Sequence, residues 1–512
     1  MARVLDCTLR DGGYYTQWDF DAKSVAHYFQ AVSRIAVDTL EIGYVGNASG
    51  EYFGKFYYLT PEDCATYKNA IRADQKICVM MNLKEFQQVE VVDRFRPYVG
   101  KVDIVRMAVS PSQIGIANEM AEELGALGFQ VGLNVMYLSR YHSKVGATLA
   151  DVNQSLYYCV SLVDSYGACF PNQVKAAVEQ AKIALHVPVG FHGHNNIELA
   201  FANALAALES GVDYLDSTIT GMGRGAGNLK TEMIVSYFES VGQSSSDLFA
   251  LSALVERFES MQKEFGWGSN LPYIISGLNG LPQQDVMAWL GKSRYSTSAI
   301  VAALRSAFSE QSIDNTQYAS VPKLQEEKPV LIVGGGQSVQ KHSEAIGRFI
   351  AKTNAIVVHS SVKNLAVLGD RHQLTFVCLP GHEVEKAPDS IGDQIAFIVQ
   401  AAPRFKGTLP VGLHGNVYQT ALFNQVENKK LGPVSDAGPL ALALSAARDF
   451  GSSAVYLVGF DGYTNATLSQ QELANETQQI LDAFGGVSAN TSLCSLTPTL
   501  YRLRVDSVYR FI

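Results

Sequence analysis

The sequence predicts an α/β protein, with an N-terminal (β/α)8, or TIM, barrel and its helical extension followed by a separate α/β domain with a mostly parallel sheet. Three observations carry this expectation. Eight short apolar runs alternate with longer amphipathic stretches over roughly the first 230 residues. The β signal then disappears between about 240 and 325, where only helical patterns remain. Beyond that, a second alternation of strand-like and helix-like segments runs to the end of the chain. The expected domains are therefore 1–240, 241–325 and 326–512. A length of 512 residues suits two to four units better than a single core.

The first eight runs are "RVLDCTL" (3–9), "TLEIGYV" (39–45), "KICVMMN" (76–82), "DIVRMAV" (103–109), "QVGLNVMY" (130–137), "VSLVDSYG" (160–167), "PVGFHGH" (188–194) and "YLDSTITG" (214–221). Between them lie patterns such as "AKSVAHYFQAVSRIA" (22–36) and "IELAFANALAALESG" (197–211), apolar at three- and four-residue spacing. A doubly wound sheet rarely needs eight such units, whereas a closed parallel barrel does. Next come the helical stretches "SSDLFALSALVERFESMQKEFGW" and "PQQDVMAWLGKSRYSTSAIVAALRSAFSE", and then "SVPKLQEEK" (320–328) as the expected linker. The second alternation consists of "PVLIVGGGQSV", "NAIVVHSS", "LTFVCLP", "QIAFIVQA", "LPVGLHG" and "SAVYLVGF", with the helix-like "PLALALSAARDFG" (439–451) before the last.

Hydrophobic content of 47% and charged content of 17% are ordinary for a globular chain. A net charge of −9 argues against nucleic acid as a partner, because phosphate backbones are held by clustered Lys and Arg. The N-terminal segment lacks the apolar core of a signal peptide and no later apolar run reaches 18 residues, so a soluble cytoplasmic protein without a membrane partner is expected. The seven cysteines lack zinc-finger spacing and read as reduced, small core residues.

In a TIM barrel the active site forms at the C-terminal ends of the strands, so polar residues ending the eight runs are the candidates. Arg10 and Asp11 end the first, followed by Gly12 and Gly13, which would let a substrate approach the backbone. On the seventh, His192 and His194 flank Gly193, and period-two geometry points both imidazoles to one face. Two histidines and a carboxylate make a divalent-metal site by ligand type. After the eighth run, "GMGRGAGN" (221–228) ends in Asn228, which could add a carbonyl oxygen. Taken singly, the His pair could be core, the Arg-Asp pair a surface ion pair and the glycines a plain loop. Strands one, seven and eight are neighbours in a closed barrel, so the three signals point to one place. Glu41, Arg106, Asn134 and Asp164 also end strands and are expected to line a substrate pocket or stand behind it.

With "TLRDGG" on the first strand, "DSYG" (164–167) on the sixth, "FHGHNN" on the seventh and "GMGRGAGN" after the eighth, the chain resembles the DRE-TIM metallolyases over roughly residues 1–300. That superfamily includes 4-hydroxy-2-oxovalerate aldolase, hydroxymethylglutaryl-CoA lyase, isopropylmalate synthase and homocitrate synthase. The resemblance implies a divalent metal, Mn or Mg first and Co or Zn second, held by Asp11, His192, His194 and Asn228. It implies that Arg10 stabilises an enolate, and that the substrates are a pyruvate-like 2-oxo acid and an aldehyde. The related aldolases carry a histidine base one residue beyond the RDG motif, and here that position is Tyr14. A phenol, with a reference pKa of about 10, serves better as a proton donor than as a base at neutral pH. Tyr15 and Glu41 compete for the base role. An acyl-CoA-dependent Claisen synthase or lyase, and an altered barrel acting as a binding scaffold, are the alternatives.

The "RDGGYY" start and the long α/β appendage resemble aldolase-like proteins associated with bacterial surface polysaccharides, which implies a sugar-derived aldehyde. In the appendage, "LIVGGGQSVQKH" (331–342) and "YLVGFDGY" (456–463) resemble Rossmann-like proteins that include archaeal pterin pyrophosphokinases. A nucleotide or nucleotide-sugar would then lie near Gly335, Ser338 and Asp461, its phosphate at a helix N-terminus. The other reading is a tight β–α turn in an inert domain. Apolar stripes in the helical extension suit either packing on the barrel or a homo-oligomer interface.

Overall fold

The computed structural model describes residues 2–512 apart from 48–49, 51, 87, 292–296, 307–312, 325, 369–374, 379–394, 406–415, 424–437, 465 and 488–490. Two compact units divide the chain, Met1–Val286 and Met287–Ile512.

Eight parallel strands close the first unit into a barrel in chain order: β1 (Arg3–Asp6), β2 (Thr39–Tyr44), β3 (Lys76–Met81), β4 (Ile104–Val109), β5 (Gln130–Val135), β6 (Cys159–Asp164), β7 (Val189–Gly193) and β8 (Tyr214–Ser217). Burial on both faces explains why each strand reads as a nearly continuous apolar run. Helices cover the outside. The helix Ala22–Val32 starts at Asp21, whose carboxylate accepts from the amides of Lys23 and Ser24, and it buries Val25, Tyr28, Phe29 and Val32.

β1 ends at Asp6, so Arg10 and Asp11 stand not at a strand end but on a helical turn, Thr8–Asp11, that follows it. The cause is the Asp6 carboxylate, which is fully buried and accepts from the Thr8 amide at 2.9 Å, the Tyr28 hydroxyl at 2.7 Å and the Thr231 hydroxyl at 2.6 Å. Satisfying that carboxylate bends the chain out of the sheet. Gly12 and Gly13 also differ from expectation. A Cβ on Gly13 would lie 2.1 Å from the Trp18 ring, and one on Gly12 would lie 2.5 Å from the Thr8 carbonyl oxygen, so these glycines make room for protein and not for substrate. The Trp18 indole donates to the Arg10 carbonyl at 2.7 Å and locks the turn.

Residues 231–286 are helical. The helix Leu248–Phe265, capped by Asp247 and ended by Gly266 at φ 75°, packs on Ala22–Val32 with Leu251, Leu254 and Phe258 buried. Its apolar stripe is thereby used within the barrel unit, each large side chain contributing about 1.5–3 kcal/mol.

In the second unit β9 (Ile313–Asp314) pairs antiparallel with β15 (Arg404–Phe405). The remaining strands are β10 (Ala319–Ser320), β11 (Val330–Val333), β12 (Ile356–His359), β13 (Thr375–Cys378), β14 (Ile395–Gln400), β16 (Val417–Thr420), β17 (Ala454–Val458), β18 (Ser492–Ser495) and β19 (Arg504–Val505). They form one parallel sheet ordered β10-β16-β14-β13-β12-β11-β17-β18-β19. Strand pairing thus begins before residue 325, and the expected linker opens on an edge strand. "LPVGLHG" lies outside the described residues. The chain moves outward from β11 through β12, then returns to β11's other side as β17, which makes the β11/β17 boundary a topological switch point.

Candidate active site

Asp11, His192 and His194 are buried, and one ligand atom from each lies within 4.8 Å of the others. Each imidazole is oriented from behind. His192 Nδ1 sits 3.0 Å from Asp216 Oδ2, and His194 Nδ1 sits 2.9 Å from the Asp164 carbonyl oxygen. A carboxylate and a carbonyl can only accept, so each Nδ1 carries the proton and each Nε2 lone pair is left for a ligand. His192 Nε2 lies 3.8 Å from Asp11 Oδ2. Burial, reinforced by neighbouring His192, lowers His194 to a pKa of about 3 and keeps its ring neutral. Burial works to raise the Asp11 carboxyl, but Arg10, His192 and His194 hold it below the usual carboxylate range. A neutral His194 ring and an Asp11 carboxylate anion are in the protonation states that metal binding needs.

The glycine-rich loop supplies a fourth atom. An isolated bridge between His194 and Asn228, with the Asn195 amide donating to the Gly227 carbonyl at 2.7 Å and the Leu229 amide to Gly193 at 3.1 Å, fastens the loop to the end of β7. Asn228 Nδ2 donates to Asp11 Oδ2, while Asn228 Oδ1 is buried and has no hydrogen-bond partner among the described residues. A buried acceptor without a donor costs about 1–3 kcal/mol, and a cation beside it removes that cost. The donor set therefore fits a divalent metal. Gly223 permits the arrangement, because a Cβ there would lie 2.4 Å from Asn228 Nδ2 and 2.9 Å from Asp11 Oδ2.

Behind the cluster runs a closed ring of charges. Arg10 donates through Nη1 to Asp11 and through Nε to Glu41, each at 2.5 Å. Glu41 accepts from Arg106 Nη1 at 3.1 Å, and Arg106 Nη2 reaches Asp216 Oδ2 at 2.5 Å. Asp216 then holds His192, which returns to Asp11. Asn134 accepts from Arg106 Nε at 3.0 Å. Glu41, Arg106 and Asn134 thus bond to one another behind the cluster. The Asp164 side chain, which accepts from the Ala168 and Cys169 amides at 3.1 and 2.9 Å, is committed to the turn after β6. Sequence reasoning passed over Asp216, although its pairing with His192 across β7 and β8 follows from the register of adjacent strands.

Of the three base candidates, Glu41 is held between two arginines. The Tyr15 hydroxyl donates to the Gly225 carbonyl at 2.7 Å. Tyr14 is 37% exposed at the barrel mouth, edge-on to Trp18 with ring centroids 5.0 Å apart.

In the second unit Gly334–Gly336 follow β11 at the switch point, and the Asn364 amide nitrogen donates to the carbonyls of Gly334 and Gly336. The structure brings Ser338 and Asp461 together and puts Gly336 beside them. It also corrects the expected phosphate cradle. The helix is a four-residue turn, Ser338–Lys341, and Asp461 already accepts from the Ser338 amide at 2.9 Å and from its hydroxyl. A carboxylate thus stands where the phosphate was expected.

Residues 2–256 match the model of the HMGL-like family. The 4-hydroxy-2-oxovalerate aldolase of Chloroflexus aurantiacus is 32% identical over 262 residues, which span 50% of this chain and 74% of that protein. The chain belongs to the HMGL-like family. The family match and the aldolase-named relatives together make it a lyase. An oxaloacetate decarboxylase of Mycobacterium tuberculosis is 28% identical over 246 residues, 47% of this chain and 70% of that protein. The crystal structure of the N-terminal domain of a candidate aldolase from Bacteroides vulgatus is 38% identical, with a TM-score of 0.55, covering 59% of this chain and 99% of that one. No helix among the described residues is long and apolar enough to cross a membrane.

Proposed function

We propose that this HMGL-like barrel is a divalent-metal-dependent aldolase that makes or cleaves a carbon–carbon bond between the enolate of a pyruvate-like 2-oxo acid and an aldehyde. The observation that carries the reading is the convergence of Asp11, His192 and His194 with the unpartnered oxygen of Asn228. A divalent ion held there, Mn or Mg in our reading, supplies Lewis acidity toward the oxygens of the 2-oxo acid.

The protein's own groups do the rest. Arg10 commits Nε and Nη1 to Glu41 and Asp11, and Nη2 bonds to no described residue, so one guanidinium edge is left to face a developing enolate oxygen. Pre-placed donors of this kind are worth about 10²–10³-fold in rate each. Tyr14 is the proton carrier of this scheme, because Glu41 and Tyr15 are engaged elsewhere. In the condensation direction its hydroxyl gives a proton to the aldehyde oxygen, and in cleavage the 4-hydroxyl returns one. An oxaloacetate decarboxylase among the relatives fits the same enolate chemistry. The "RDGGYY" start supports a sugar-derived aldehyde, within surface-polysaccharide synthesis.

The test is deuterium uptake into the methyl group of pyruvate, followed by NMR with Mn or Mg present. Wild-type protein is expected to exchange and Asp11→Ala to lose exchange. Absence of exchange in the wild-type protein with either metal overturns the reading.

A further inference from the structure

Among the described residues, Arg10, Arg106, Arg140 and Arg224 divide into two kinds. Arg10 and Arg106 each bond two buried carboxylates, Arg106 through its whole guanidinium and Arg10 with one edge left for the 2-oxo acid. Arg224 and Arg140 carry no ion pair among the described residues. Arg224, on the glycine-rich loop after β8, has a buried Nε without a hydrogen-bond partner among the described residues, and its guanidinium stacks 5.5 Å from the Tyr14 ring. Arg140, beyond β5, lies 4.9 Å from the Tyr166 ring and 5.4 Å from the Tyr137 ring, its one side-chain hydrogen bond a long 3.4 Å contact to the Gly280 carbonyl.

The loop of Arg224 adjoins the aromatic wall that Arg140 covers: the Gln283 side chain lies against Gly225 and donates to the Tyr166 carbonyl at 3.1 Å. The Tyr137 and Tyr166 rings pack 5.4 Å apart, and Tyr137 holds a left-handed backbone at φ 70°, a costly conformation for a bulky residue. Burial raises the Tyr166 phenol while Arg140 and Arg224 pull it down. A partly buried guanidinium without an anion is an open fork of N–H donors that matches a carboxylate or phosphate. Arg140 is exposed and Arg224 partly buried, so Arg224 is the cation that holds its charge away from solvent without an anion.

We propose that Arg224, with Arg140 across Tyr166, forms an oxyanion subsite that takes a carboxylate or phosphate group carried by the aldehyde. The substrate class is then an anionic aldehyde. This assignment rests on the aldolase reading for which half of the substrate is bound. The 2-oxo acid lies at the metal cluster against the free edge of Arg10. Tyr14 must reach the aldehyde oxygen, and Arg224 stacks on Tyr14, so the cation stands on the aldehyde's side.

The experiment uses the full-length protein in two measurements. Inorganic phosphate is titrated calorimetrically into the wild type, Arg224→Gln, Arg224→Lys and Arg140→Gln, with thermal melts to show that each is folded. Loss of a charge-assisted donor is expected to weaken phosphate about 10- to 100-fold in Arg224→Gln, with Arg224→Lys recovering part of it. Matched aldehydes are then condensed with pyruvate: glyceraldehyde 3-phosphate against glyceraldehyde, and succinic semialdehyde against butanal. The wild type is expected to favour the charged member of at least one pair in kcat/KM, and Arg224→Gln to lose that preference. Whichever pair shows it identifies the anion as phosphate or carboxylate. Phosphate binding that is absent from the wild type, or equal in all four proteins, overturns the subsite. So does an Arg224→Gln protein whose KM for pyruvate rises while the charged-to-neutral ratio is kept, since Arg224 would then hold the 2-oxo acid. If the wild type exchanges no deuterium into pyruvate, the aldolase reading fails by itself and the phosphate titration still decides whether the subsite exists.

Discussion

Asp216 on β8 and His192 on β7 are side by side in the barrel register, and the Asp216 carboxylate lies 3.0 Å from His192 Nδ1. One oxygen of that carboxylate also receives Arg106, so a single group orients a metal-facing imidazole and anchors the charge ring behind it. Partners of this type typically tune metal affinity by 10- to 100-fold. Asp216→Asn is expected to weaken Mn binding by about that factor, measured by titration with EPR detection of free ion. Unchanged affinity would show that His192 needs no orienting group.

Glu41 is fully buried between Arg10 and Arg106. Removing one partner of a buried ionic set leaves uncompensated charge, at about 3–5 kcal/mol. Denaturant unfolding of Glu41→Gln is expected to show a loss of that size in the barrel transition, and a loss under about 1 kcal/mol would mean that water enters the ring.

Metal-free protein should become less stable in mild acid. His194 titrates at about 3 in the folded chain against 6.5 as its ordinary value, so below pH 6.5 the unfolded chain takes up a proton that the folded chain refuses. This contribution is fully present above pH 6.5 and is lost progressively as pH falls toward 3. Melting temperature measured in a chelator between pH 7.5 and 4.5 is expected to fall more steeply in the wild type than in His194→Gln. Parallel curves would place the titration on other groups.

Gly13 touches Trp18 so closely that no Cβ fits. Gly13→Ala is expected to cost about 1–3 kcal/mol through overpacking, seen as an earlier urea midpoint and a changed Trp fluorescence spectrum. Fluorescence identical to the wild type would show that the indole has not moved.

Much of the barrel was legible because each parallel strand is buried on both faces and carries a dense apolar run. His192 and His194 could be placed on one face from their spacing alone. Asp6 could not be assigned its part, since the three partners that turn the chain after it include Tyr28 and Thr231, distant in sequence. The same limit hid Asp216, a carboxylate inside a strand whose meaning comes only from the strand beside it. Arg224 lay in plain view within "GMGRGAGN" and read as loop, because nothing in its neighbours along the chain reveals the Tyr14 ring beneath it. In the second unit, β18 and the edge strand β19 are short and partly polar, and local pattern carries no signal for them. Asp461 was placed near Ser338 but as a neighbour of a ligand, and only geometry shows that it occupies the amide itself.

The loop that carries Asn228 has a temporal consequence. Asp11 is made about 200 residues before His192, His194 and Asn228, and the two groups meet where β1 pairs with β8. During synthesis the early half of the site must wait, with Asp11 and Arg10 already formed but their partners still within or before the ribosome. The groups of the proposed centre therefore come together only when the barrel has closed. An ion held there would tie the oldest turn of the barrel to its youngest, a clasp across the seam that a chelator should loosen first.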